Sequence, residues 1–272
     1  MKRKRNWKAF YQRERVAMSG EILRQAAAHE GHSPRVMELA GIMARGGVLS
    51  FPHTFLRDNL ANYLDICAAL YKSGRTNLVY LGVLHSNDER AIKKEFSLDN
   101  FEHVLKAYRQ SRGLLTLPVR TKVFPLPALG VMVSDEWSKY LKHLRALKED
   151  VRSVCTPGTA VLATGDPCHY GHGYAAFHPV PLPVEQRPEQ MLKTRIQDAL
   201  ATLFEDNYYW NFVLKSRELL SDQTSVAILI SELLGPKAKH RIFDLKFSDY
   251  SVTLSAKQPT LVASVLYSVS PK

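Results

Sequence analysis

Short apolar runs alternate with amphipathic helical patterns along the whole chain, and no other feature restricts its fold as much. The alternation specifies an α/β architecture, one sheet with helices on both faces. "GGVLSF" (46–51), "NLVYLGVL" (77–84) and "TAVLATG" (159–165) read as strands. "TKVFPLPALGVMV" (121–133) reads as a strand broken by Pro125 and Pro127, and 241–255 and 260–270 as two closing strands. Helical patterns occupy 20–29, 55–74, 98–110, 134–151, 189–204, 207–220 and 224–234. In the second of these, Leu60, Leu64, Cys67 or Ala68, and Tyr71 recur at three- and four-residue spacing until Gly74 ends it. Ser134 is placed to cap the fourth. The proline-rich stretch 177–188 reads as an extended loop.

At 272 residues without an internal repeat or a low-complexity linker, the chain is expected to form one domain over 21–272, preceded by a basic arm. The formal net charge is +11. Within residues 1–20, Lys2, Arg3, Lys4, Arg5, Lys8, Arg13 and Arg15 are opposed by Glu14 alone. Such an arm fits contact with RNA or a ribonucleoprotein, a targeting segment, or a solubilising tail. No apolar stretch approaches the roughly 20 residues of a membrane helix. Cys67, Cys155 and Cys168 have neither paired nor CxxC spacing. A disulfide scaffold is therefore not expected, and an intracellular setting, cytoplasmic or mitochondrial, is.

Three histidines share one address: His53, His85 and His169 each lie just past the carboxyl end of an expected strand. Parallel strands deliver their ends to one edge of an α/β sheet, where ligand sites form. Imidazole is the commonest neutral ligand for zinc, copper and iron, so these three are the candidate metal ligands, with the ion left open at this point. Asp166 either orients an imidazole or ligates directly. Taken singly, a loop histidine is most often just a hydrogen-bonded or solvated side chain. His172 and His178, on the Gly/Pro-rich loop, are read as surface, and His29, His32, His103, His143 and His240 receive no role. Cys168 beside His169 suggests a nucleophile and base, but adjacent residues on a strand or turn point apart. GxGxxG, P-loop and GxSxG signatures are absent from the sequence.

In sequence order, "RNWKAFYQ", "GGVLSFPHTFLRDNLANYLDICAALYKSG", "NLVYLGVLHSN", "VLATGDPCHYGHGY" and "SDQTSVAILISELL" resemble the motifs of the Memo family. That family's fold is similar to the class III, LigB-type, extradiol dioxygenases. The resemblance implies His53, His85 and His169 as metal ligands, with Asp166 beside them and His169 in the acid/base place, so that His169 and Asp166 are the candidate catalytic residues. It also implies departures. The family's E-H-S-x-E-x-x-L-P is missing from "FEHVLKAYRQSRGLLTLPVRTK", and its fourth ligand position falls at Thr253 to Ala256, where no strong ligand stands. The expectation from the resemblance is a divergent Memo-like protein with a three-histidine site for iron or copper and eroded catalysis. The alternative is a non-catalytic, Memo-like subunit of an RNA–protein assembly, such as a mitochondrial ribosome, that uses its basic N-terminus.

Overall fold

The computed structural model describes residues 7–84, 97–114, 119–127, 137–177, 184, 185, 187–236 and 238–272. Its first helix, α1 (Trp7–Ala28), is followed by α2 (Pro34–Ala44), strand β1 (Val48–Phe51), α3 (Leu56–Lys72), β2 (Asn77–Leu84), α4 (Asp99–Ser111) and β3 (Val119–Pro127). The second half contains α5 (Trp137–Val154), β4 (Thr159–Thr164), β5 (His169–Gly171), α6 (Glu189–Phe204), α7 (Tyr209–Glu218), α8 (Thr224–Leu234), β6 (Lys239–Asp249), α9 (Ser251–Leu254) and β7 (Thr260–Ser270). The chain is α/β with one mixed sheet, and no described helix is long and apolar enough to cross a membrane.

The sheet runs β3-β2-β4-β1-β7, with β6 along the far edge of β7 and β5 beside its first residues. β1 to β4 are parallel, whereas β7 is antiparallel to β1. The central strands are almost wholly buried, which accounts for their unbroken apolar runs. Alternate side chains feed two cores. Leu49, Phe51, Tyr80 and Leu162 pack with Ile22, Leu39, Leu64 and Phe101 from α1 to α4. Val48, Val79, Leu81 and Ala163 pack on the opposite face with Leu144, Leu200, Phe212 and Ile228 from α5 to α8.

Among the described residues several elements differ from the sequence reading. The boundary expected at residue 20 falls inside α1, whose Tyr11 and Ile22 are buried, so residues 7–20 belong to the packed domain. Helix α2 was not anticipated, although the Ser33 hydroxyl accepts from Val36 N and Pro34 opens the first turn, a standard start signal. The strand expected over 241–255 ends at Asp249, where the chain turns into α9. The predicted Ser134 cap lies outside the described residues.

Candidate metal centre

β1 and β4 are parallel neighbours with Phe51 opposite Thr164, so His53 and Asp166, each two residues further on, leave the sheet side by side. The chain leaving β1 enters α3 on one face, and that leaving β4 continues through β5 towards α6 on the other. A crevice opens between such divergent connections at the carboxyl edge. Gly165 N donates to Phe51 O at 3.2 Å and ties the two exits together.

The third member, Asp222, comes from the turn before α8. Asp166 N donates to Asp222 Oδ1 at 2.7 Å, and Asp222 N donates to Asp166 O at 3.2 Å. This close approach depends on Gly165, because a Cβ there would lie 2.2 Å from Gln223 Cβ.

His53 Nε2 lies 3.3 Å from Asp166 Oδ2 and 3.2 Å from Asp222 Oδ2. The other oxygen of each carboxylate is held by backbone: Asp222 Oδ1 as above, and Asp166 Oδ1 by His53 N at 3.3 Å. One ligand atom from each of the three residues lies within 4.8 Å of the others, so the cluster can hold a metal ion. All three side chains are nearly inaccessible, Asp222 being the most exposed at 11 %. Burial, reinforced by the Asp222 charge, pushes the Asp166 carboxyl up to about 6, while His53 and His169 pull it down.

Aromatic side chains wall the cluster. Tyr11, Tyr63, Tyr174 and Tyr250 all sense the Asp166 charge, and burial pushes each phenol above its ordinary value. The Tyr11 and Tyr250 hydroxyls are 3.0 Å apart, Phe55 stacks on Tyr250 at 4.1 Å, and Trp7 stacks on Tyr11. A polar network holds the 52–55 segment: Asn59 Nδ2 donates to Thr54 Oγ1 and Phe55 O, Thr54 Oγ1 is bonded to Ser264 Oγ, and Tyr63 OH donates to Pro52 O at 2.7 Å. Tyr63→Phe leaves that carbonyl without its donor one residue from His53. The expected cost is about 1–2 kcal/mol, read as a lower urea midpoint at unchanged slope.

His53 and Asp166 are thus brought together as expected, and of the expected histidines His53 is the one that joins the cluster among the described residues. Among the described residues the third partner is Asp222, which the sequence reading missed because an acid just before a helix reads as an N-terminal helix signal. His85 lies outside the described residues. His169 starts β5; its Nδ1 donates to Leu220 O at 2.9 Å and its ring meets Tyr174 edge-on. It stands near enough for Asp166 to feel its charge, but it is not among the three clustered ligands. Cys168 points into the α5–α8 core, and burial pushes its thiol up, opposite to what a nucleophile needs. Thr253 to Ala256 form the end of α9 and the turn after it. On α1, Lys8 and Arg13 are exposed, whereas Arg15 is spent internally on Asn100 Oδ1 at 2.9 Å and Asp99 at 3.3 Å. Lys2, Arg3, Lys4 and Arg5 lie outside the described residues.

No family model and no curated protein matches the chain.

Proposed function

We propose that this is a Memo-like protein that binds a divalent first-row metal, iron(II) ahead of copper, through His53 Nε2, Asp166 and Asp222. One observation carries the reading: two buried carboxylates each anchor one oxygen on backbone N–H and aim the other at the same imidazole nitrogen. Donors about 2.0–2.2 Å from a shared ion stand about 3.0–3.6 Å apart, which matches the spacing from His53. Charge points the same way. An imidazolium between two aspartates leaves a net negative charge in a site closed to water, whereas a divalent ion with neutral His53 leaves none. Two carboxylates with one imidazole form a harder donor set than copper prefers, which places iron first.

A bound metal would supply Lewis acidity and open coordination positions. The chain supplies the rest. Tyr11, Tyr63, Tyr174 and Tyr250 exclude water. The bond from His169 Nδ1 to Leu220 O fixes the orientation of the ring. The placing of His53, Asp166 and His169 beyond β1 and β4 supports the likeness to the Memo and class III dioxygenase fold.

Metal content measured by mass spectrometry on natively purified, untagged protein, with co-purifying RNA quantified, tests the reading. Near-stoichiometric iron is expected. Metal-free protein carrying RNA would favour the ribonucleoprotein alternative, to which Lys8 and Arg13 on the exposed side of α1 would contribute.

Metal uptake should also depend on pH. The raised Asp166 value means that the folded, metal-free protein holds a proton that the unfolded chain releases near pH 4. This group's contribution to stability is present in full below pH 4 and is lost as the pH rises through about 6. A metal needs the carboxylate, so affinity should climb through the same interval and level off above it. Melting curves of metal-free wild type and Asp166→Asn from pH 4 to 8 should show the wild type losing ground by about 2–3 kcal/mol.

A further inference from the structure

At the opposite edge of the sheet, below the amino ends of β1 and β4, lies a cleft of about 740 Å³ between the ends of α2 and α3 on one side and of α5 and α8 on the other. We propose that this cleft binds a small amphipathic monocarboxylate, with its apolar body on the strand ends and its carboxylate on Arg45. The inference does not rest on the metal reading.

The volume is that of a small-molecule site. Its floor is apolar, built from Val48, Val161 and Leu234, and none of the described lining residues is acidic. Three arginines line the rim, but two are already committed. Arg75 donates from Nε to Met43 O at 3.2 Å and also bonds Ala44 O, which covers the carbonyl end of α2. Arg152 donates to Leu233 O at 3.2 Å at the end of α8, and its other amine pairs with Glu149. Each helix end carries about half a negative charge, so Arg75 is partly offset, and Arg152 is offset by the α8 end together with Glu149. Arg45 is different. Its side chain is exposed and makes no hydrogen bond or ion pair among the described residues. Its guanidinium rests beside Gly41 at the end of α2, on the rim of the cleft, and a guanidinium with free N–H groups beside an apolar cleft matches one carboxylate on an apolar body, held by two parallel N–H···O bonds.

Cys155 lines the same cleft and reports on its occupancy, since Cys67 and Cys168 are buried in the cores. The rate of Cys155 alkylation by iodoacetamide would be followed by mass spectrometry on the full chain with octanoate or octylammonium present. Octanoate should slow the reaction saturably, octylammonium should not, and Arg45→Gln should raise the half-maximal octanoate concentration at least about tenfold. Circular dichroism of the variant checks that its fold is retained. No slowing by octanoate, equal slowing by octylammonium, or an unchanged octanoate dependence in Arg45→Gln would each overturn the proposal.

Discussion

Asp222→Asn is expected to lose the metal and keep the fold. The amide oxygen can still accept from Asp166 N, so the turn before α8 stays in place, while the second anionic donor facing His53 Nε2 is gone. Removing a group that merely orients a ligand costs about 10–100-fold in metal affinity, so loss of a ligand should cost at least about 100-fold. His53→Ala should do the same. The stability of the metal-free protein supplies the sharper test. At pH 8, where Asp166 is ionised, two buried carboxylates repel, and neutralising one should stabilise the metal-free chain by about 1–2 kcal/mol. A triad built only as an ion pair, with protonated His53 clamped between two aspartates, gives the opposite sign, because each aspartate would then stabilise the fold. Urea unfolding of both proteins after chelation, alongside their metal content, separates the two chemistries.

Gly165→Ala should be strongly damaging for a single added methyl group. The added carbon would lie 2.2 Å from Gln223 Cβ and 2.9 Å from its Cα, so the turn that carries Asp222 must move away from β4. Overpacking against backbone of this kind costs about 1–3 kcal/mol, and here the upper end is expected. Metal uptake should fall with it, since Asp222 moves with Gln223. Gly20 is the matched control. It lies in the exposed part of α1 with nothing within 4 Å of an added Cβ, so Gly20→Ala should stabilise the helix by about 0.5–1 kcal/mol and leave the metal untouched. Comparable losses in the two variants would mean that the close approach at Gly165 is not what holds Asp222.

Gly171 extends this logic along the same motif. It has φ +97, and a Cβ there would lie 2.0 Å from Pro259 O, so "GDPCHYGHGY" owes two of its glycines to tight backbone packing against 259 and 223. By its glycines alone that stretch reads as loop. It contains β5, a three-residue strand whose pairing with β7 holds it, and a strand that short leaves no periodicity to read.

The α/β class, the buried central strands and the location of His53 and Asp166 beyond β1 and β4 were all legible in the amino acids. Each rests on local pattern: apolar runs of strand length, helical spacing, and residues a fixed two steps past a strand end. What only the tertiary structure decided is which third group joins them. Asp222 lies 56 residues from Asp166 along the chain and meets it through Gly165, a side-chain-free gap between two backbones. It also decided that residues 7–20 pack as helix over the aromatic wall, and that Arg15 serves Asn100 and Asp99. No short-range signal encodes such contacts, because they depend on how one face of the sheet meets the turns of the other.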